Sequence, residues 1–259
     1  MKKSQSITNK LPAAAALALL LLAWLAVSGT GLVPAFLLPP PAQVVRALVD
    51  DAPILLSNAR VTLVEAAWGL GAGIGAALIL STLMHRARPL YRALYPLLVI
   101  TQTIPTVAIA PLLVLWMGFG MAPKVTLVAL TTFFPVTVSL LEGYASTDKA
   151  AAALLRAMGA GRWQIFRHLE FPSALSHFFS GLRVSASYAV VGAVISEWLG
   201  GFEGLGVYMT RVKKAYAFDR MFAVIIVIVA VSLALMGLVT LLRRLACPWE
   251  AYEKIERND

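Results

Sequence analysis

The chain has 259 residues, 59% apolar and 14% charged, with a mean hydropathy of +0.80. Soluble domains are roughly 45–50% apolar and 25% charged, so a soluble globular chain is excluded, and a disordered one is excluded by the wealth of aliphatic residues. The net charge of +9 arises from 22 Lys and Arg against 13 Asp and Glu; in so apolar a chain it reads as loops held on one side of a membrane, not as a nucleic-acid footprint.

Residues 11–33 carry no charge and follow Lys2, Lys3 and Lys10. The run is too long for a signal-peptide core, and Val33-Pro34-Ala35-Phe36 follows instead of a cleavage site, which predicts a retained first span. Leu38-Pro39-Pro40-Pro41 and then Val44, Val45, Leu48 and Val49 predict a proline turn and a short amphipathic helix on the outer surface. Residues 66–84 form the second span. Its glycines, from Gly69 to Gly75, include a match to Gly-x-Gly-x-x-Ala. A dinucleotide site needs that pattern after a strand, with free amides; inside a spanning helix it predicts close helix approach. No Gly-Lys-Ser/Thr occurs, so the chain lacks a phosphate loop of its own.

Residues 93–123 hold 31 charge-free positions, too many for one straight helix. Within them lie Thr101-Gln102-Thr103-Ile104-Pro105 and then Pro111. Proline frees a helix carbonyl, and the hydroxyls and the Gln102 amide either satisfy freed groups or face a polar pathway; both readings stand. Residues 125–141, with Pro135, 178–198 and 221–242 complete six spans, an all-α membrane protein. Glu65, Arg183 and Glu197 fall near span ends, where snorkelling lowers their cost. The single cysteine, Cys247, permits neither an intrachain disulfide nor a cysteine metal site. His85, His168 and His177 are too far apart for a helical metal pair, and no catalytic triad or paired-carboxylate spacing occurs.

Six spans place both termini on one side. With the N-terminus inside, the inner segments hold 15 Lys and Arg and the outer ones 7, which predicts N-in and C-in. Arg211, Lys213, Lys214 and Arg220 run against that trend. The inner segment 142–177 is longer than a turn needs. From Asp148 to Pro172 it reads as a helix, a break at 159–161, a second short helix and a stop at Pro172. Leu155, Met158, Trp163, Phe166 and Leu169 supply apolar contacts and Arg156, Arg162 and Arg167 supply charge. Docking to a partner protein and lying on the membrane surface both fit this pattern.

At this loop the chain resembles the permease subunits of binding-protein-dependent ABC importers. Gly159, nine residues and Leu169-x-Phe171-Pro172 are similar to the family's loop signature, Gly-x9-Ile-x-Leu-Pro. The family's Glu-Ala-Ala falls on Ala153-Leu154-Leu155, so its glutamate is absent. Gln102 to Pro105, Pro111 to Gly120 with Lys124, Ser180 to Arg183, and Glu197 to Gly206 resemble the nitrate, sulfonate and taurine branch. The similarity covers about 38–250. It implies a type I importer permease: residues 1–33 as tail and first transmembrane helix, and 34–259 as a permease core with a cytoplasmic coupling loop at about 142–177.

The resemblance further implies a homodimer in the bacterial inner membrane and an external binding protein. It implies ATPase subunits that hold ATP and Mg and dock on Ala153, Arg156, Gly159, Ala160, Arg162, Trp163, Phe166 and Pro172. The chain itself would bind no cofactor or metal and catalyse nothing. Thr101, Gln102, Thr103 and Pro105 would line the translocation pathway. A stand-alone secondary transporter would place acidic or histidine relays near span centres, which the sequence lacks; a membrane scaffold would leave the docking loop unexplained. The stretch Ala189 to Trp198, with Val207-Tyr208-Met209-Thr210, most resembles permeases for pyrimidine precursors of thiamine, with taurine, sulfonate and nitrate as alternatives.

Overall fold

A computed structural model describes residues 11–31 and 33–249. Lys2, Lys3, Lys10, Lys254 and Arg257, which enter the charge count, lie outside these residues. All regular elements among the described residues are helical. They are α1 (Leu11–Gly29), α2 (Pro41–Asp50), α3 (Ala52–Arg86), α4 (Arg88–Thr101), α5 (Thr106–Met117) and α6 (Met121–Ala145). There follow α7 (Lys149–Ala157), α8 (Arg162–Ile165), a π-helical turn (Phe166–Glu170), α9 (Phe171–Gly200), α10 (Leu205–Lys214) and α11 (Phe218–Ala246).

Four helices are long and apolar enough to cross a membrane: α3, α6, the run Arg162–Gly200 and α11. Helices α4 and α5 add a fifth span if they count as one, broken by a 99° bend. The predicted six is reached only if α1, uncharged over 19 residues, is counted as well. The 93–123 stretch is thus bent, as its length requires. Pro105 stops α4, because it has no amide to donate and holds Ile104 out of the helical region.

The chain divides into two compact units, residues 1–57 with 208–227, and residues 58–207 with 228–259. In the first, Pro40 and Pro41 start α2, and Val44 and Ala47 are buried with Ala223 beside Trp24, Leu48 and Phe222. Val45 and Val49, predicted on the same apolar face, are exposed. The Trp24 indole stacks on Phe222 and donates to the Pro39 carbonyl at 3.1 Å. Asp51 is buried, accepts from the Tyr208 hydroxyl at 2.5 Å and pairs with Arg220 at 3.3 Å.

Burial and the neighbouring Asp51 carboxylate push the Tyr208 phenol up to about 12, from an ordinary value of about 10. The raised value means that the contribution of this bond is complete below pH ~10 and is lost as the pH climbs toward the folded value. Tyr208→Phe is expected to cost about 1.5–3 kcal/mol, the usual worth of a hydrogen bond to a charged group. Thermal unfolding in detergent at pH 8 checks this, with the gap between wild type and variant narrowing above pH ~10.

In the second unit α3, α6 and α9 pack closely through small residues. Gly69 and Gly73 face Val128 and Thr132 of α6, while Gly71 and Gly75 of the same run face open space. The Gly-x-Gly-x-x-Ala match therefore lies in an unbroken helix and serves helix contact. A Cβ on Gly181 would lie 2.6 Å from the Pro135 carbonyl oxygen, and Ser185 donates to the Thr132 carbonyl at 2.7 Å. These contacts put residues 181–185 of α9 level with 132–135 of α6, the middle of that helix. Ala66, Val128, Ala186, Ala189, Val190 and Ala193 fill the core.

Candidate coupling surface and translocation cavity

The loop after α6 is built by local capping. The Asp148 carboxylate accepts from the Ala150 amide at 2.8 Å and starts α7. Gly159, at φ +86°, ends it: its amide donates to Arg156 O at 3.0 Å and the Ala160 amide to Leu155 O at 2.9 Å, the paired closure of a left-handed helix cap. The Gln164 side chain then accepts from the Gly161 amide at 2.7 Å and starts α8. The predicted stop at Pro172 does not occur. The Phe171 amide bonds Phe166 O, five residues back, and this wider turn carries the chain past the proline into α9.

The loop is clamped to the ends of α3 and α6. Phe166 is buried and stacks with Trp163 at 5.7 Å and against Tyr144 at 5.7 Å. The Arg86 guanidinium lies 5.0 Å over the Trp163 ring and 4.9 Å over Phe166, a cation–π arrangement. His85 stacks on Tyr144 and meets the Glu170 carboxylate at 2.9 Å. Other parts of the loop are bare: Leu154 is 64% exposed and Met158 75%, and Ala153, Arg156, Gly159 and Arg162 are exposed too; Trp163, although Arg86 covers its ring, is still 59% exposed. Ala160 and Pro172 are half-buried. Phe166 thus belongs to the anchor and not to the exposed surface.

The bend between α4 and α5 borders a cavity of 460 Å³ in the second unit. Its polar lining is Thr101, Gln102, Thr106, Thr131 and Tyr188, within apolar walls such as Ile109, Leu127 and Val191. Thr103 and Pro105 are exposed but do not line it. The Thr101 hydroxyl donates to Leu98 O at 2.6 Å and the Thr103 hydroxyl to Ile100 O at 2.8 Å. Both threonines therefore repair backbone at the bend, and only Thr101 and Gln102 of the quartet reach the cavity.

The three ionisable residues placed near span ends behave otherwise. Glu65 and Glu197 do not snorkel. Glu197 is 1% exposed and accepts from the Thr62 hydroxyl at 2.7 Å and the Gly206 amide at 2.6 Å. Thr62 accepts in turn from the Leu205 amide at 2.9 Å, and Asn58 accepts from the Gly204 amide at 2.8 Å. Glu65 pairs with the buried Lys124 at 2.5 Å. This network fixes the 201–206 turn on α3; sequence reasoning missed it, because the partners that join α3 to other segments are 59 to 146 positions apart and leave no local pattern. Arg183 sits level with the middle of α6, not near an end.

Residues 69–246 match the family described as binding-protein-dependent transport system inner membrane component. The chain belongs to this family. It is 38% identical to a probable ABC transporter permease protein of Haemophilus influenzae over 83% of this chain and 88% of that protein. It is 37% identical to the formylaminopyrimidine transport permease protein ThiX of Halalkalibacterium halodurans, over 83% and 86%. It is 35% identical to the riboflavin transport system permease protein RibX of Chloroflexus aurantiacus, over 91% and 88%. The taurine transport system permease protein of Escherichia coli K12 is 29% identical over 90% and 87%. A chain of the inward-facing MetNI methionine ABC transporter superposes with a TM-score of 0.67 at 18% identity, covering 74% of this chain and 96% of that one. The fold is that of an ABC importer permease. The chain is a multi-pass inner-membrane transport subunit and not an enzyme; its family implies ATPase and binding-protein partners.

Proposed function

We propose that this permease, as a pair, moves a pyrimidine precursor of thiamine inward through the cavity beside Gln102, driven by ATPase subunits docked on the exposed face of α7 and α8. The observation that carries the docking assignment is the loop's double character: an aromatic and cationic clamp through Trp163 and Phe166 holds it to α3 and α6, while Leu154 and Met158 stay exposed and Trp163 is still more than half exposed. Closure of an ATPase dimer, with ATP and Mg held there, would pull on this loop and tilt α3, α6 and α9. The thirty residues of α9 separate the loop from the 201–206 turn by about 45 Å. A cytoplasmic loop puts that turn outside, and the charge count supports both termini inside.

The cavity supports the choice of solute. It has uncharged walls, Thr and Gln groups for a ring's nitrogens and Tyr188 for its face, and burying a charged solute there without a partner costs more than burying a neutral one. The relative named for formylaminopyrimidine transport points the same way. A sulfonate is the second reading, favoured by Arg183 close to Tyr188.

Proteoliposomes holding the permease, its ATPase and its binding protein test the assignment. ATP-dependent uptake of a labelled aminopyrimidine is expected; uptake of taurine alone contradicts the solute. In a Cys247→Ser background, Thr101→Cys and Gln102→Cys are expected to react with a water-soluble thiol reagent at a rate that ATP changes, and Thr103→Cys more slowly. Inert thiols at both 101 and 102 contradict the pathway.

A further inference from the structure

We infer that Arg183 is the charge-selecting residue of the pathway, passing neutral and anionic solutes and turning back cations. This rests on the reading of the cavity as the pathway. Arg183 is exposed on α9 between Gly181, which touches the Pro135 carbonyl, and Ser185, which bonds Thr132. It is therefore level with the middle of α6. The end of α6 is marked by Gly143, which meets Ala174 of α9. From Ala174 to Arg183 the helix rises about 13 Å, farther than an arginine stem reaches to bring its charge to a membrane surface.

Among the described residues no carboxylate lies within ion-pair distance of Arg183. An unpaired guanidinium at this depth is expensive in hydrocarbon, so it faces water or protein. What it borders is a groove of 320 Å³ shared with Val184, Ser187, Tyr188 and Met236. Tyr188 also lines the cavity beside Gln102, so the groove and the cavity adjoin through one side chain. Neither has an acidic residue in its lining. A fixed positive charge beside an apolar groove that carries no acidic residue is an electrostatic barrier to cations moving along it. It leaves neutral rings unhindered and attracts sulfonates, so it is compatible with either solute reading.

The test uses the assembled transporter carrying Cys247→Ser and Tyr188→Cys. The thiol is treated with an anionic and a cationic methanethiosulfonate of similar size, each rate being normalised to that of a free small thiol. With Arg183 present the anionic reagent is expected to be at least about fivefold faster, the effect of one unit charge roughly 8 Å away even at the dielectric constant of water. Arg183→Lys should keep the preference, Arg183→Gln should bring the ratio near one and Arg183→Glu should invert it. A ratio indifferent to residue 183 overturns the inference while leaving the pathway standing. Failure of both reagents at the Tyr188→Cys thiol, and at a second thiol introduced by Val191→Cys, overturns the pathway itself.

Discussion

Glu197→Ala is expected to destabilise the permease by about 3–5 kcal/mol, the scale seen when one partner is removed from a buried polar or ionic cluster. Both carboxylate oxygens are in use, by Thr62 and Gly206, and the side chain is fully enclosed. Alanine leaves an amide without an acceptor and a void beside Gly204 and Gly206, whose backbones approach the glutamate closely. Glu197→Gln should cost far less. Its carbonyl oxygen can accept from Gly206, and its amide can donate to Thr62, whose hydroxyl has the Asn58 carbonyl at 3.2 Å as an alternative acceptor. Unfolding in detergent should therefore rank wild type just above Gln and well above Ala. Equal loss in both variants would show that charge, not hydrogen bonding, holds the turn.

Gly159→Pro is expected to separate ATP hydrolysis from transport, with uptake falling at least about tenfold while the protein still inserts. Proline holds φ near −65°, whereas Gly159 stands at +86° and donates its amide to Arg156. The left-handed cap between α7 and α8 cannot form, and the exposed surface of Leu154, Met158 and Trp163 is broken up. The clamp of Arg86, Phe166 and Tyr144 draws no residue from the cap itself, Arg86 and Tyr144 lying before it and Phe166 after, and should survive. Uptake and ATPase rate measured together in proteoliposomes check this; unchanged uptake would mean that the geometry of the α7–α8 surface is not used. Arg156→Glu, which reverses one exposed charge, should have a smaller effect of the same kind.

Spans and breaks were legible in the sequence because they depend on runs and on special residues. Charge-free stretches located α6 and α11, the 31-residue run required a bend, and Gly159 marked the end of α7. The role of the glycine run in α3 followed from its setting inside an apolar helix. Pairings across the fold were not legible. The sequence shows Glu65, Lys124 and Glu197 as isolated charges near apolar ends, and only packing reveals that they sit in one enclosed network. Arg183 was misplaced for a related reason. Its height depends on which residues of α6 it passes, and the helix begins at Phe171, not at 178, because the π-turn over Phe166–Glu170 runs straight into it and Pro172 falls in its first turn, where no amide is needed. Thr103 shows a third limit: composition gave a polar cluster, but the turn at the end of α4 sends only two of its side chains to the cavity.

A photoreactive residue in place of Met158, at the centre of the exposed α7–α8 face, tests most directly whether this surface is where ATP-driven motion enters the membrane. In the assembled transporter, illumination should join the permease to a subunit whose peptides include an ABC ATPase phosphate loop, and ATP should change the yield. The same residue at Leu115, on the apolar helix α5, should give no such product. Adducts from position 158 with lipid alone, at a yield that ATP leaves unaltered, would contradict the account and assign the loop to the membrane surface.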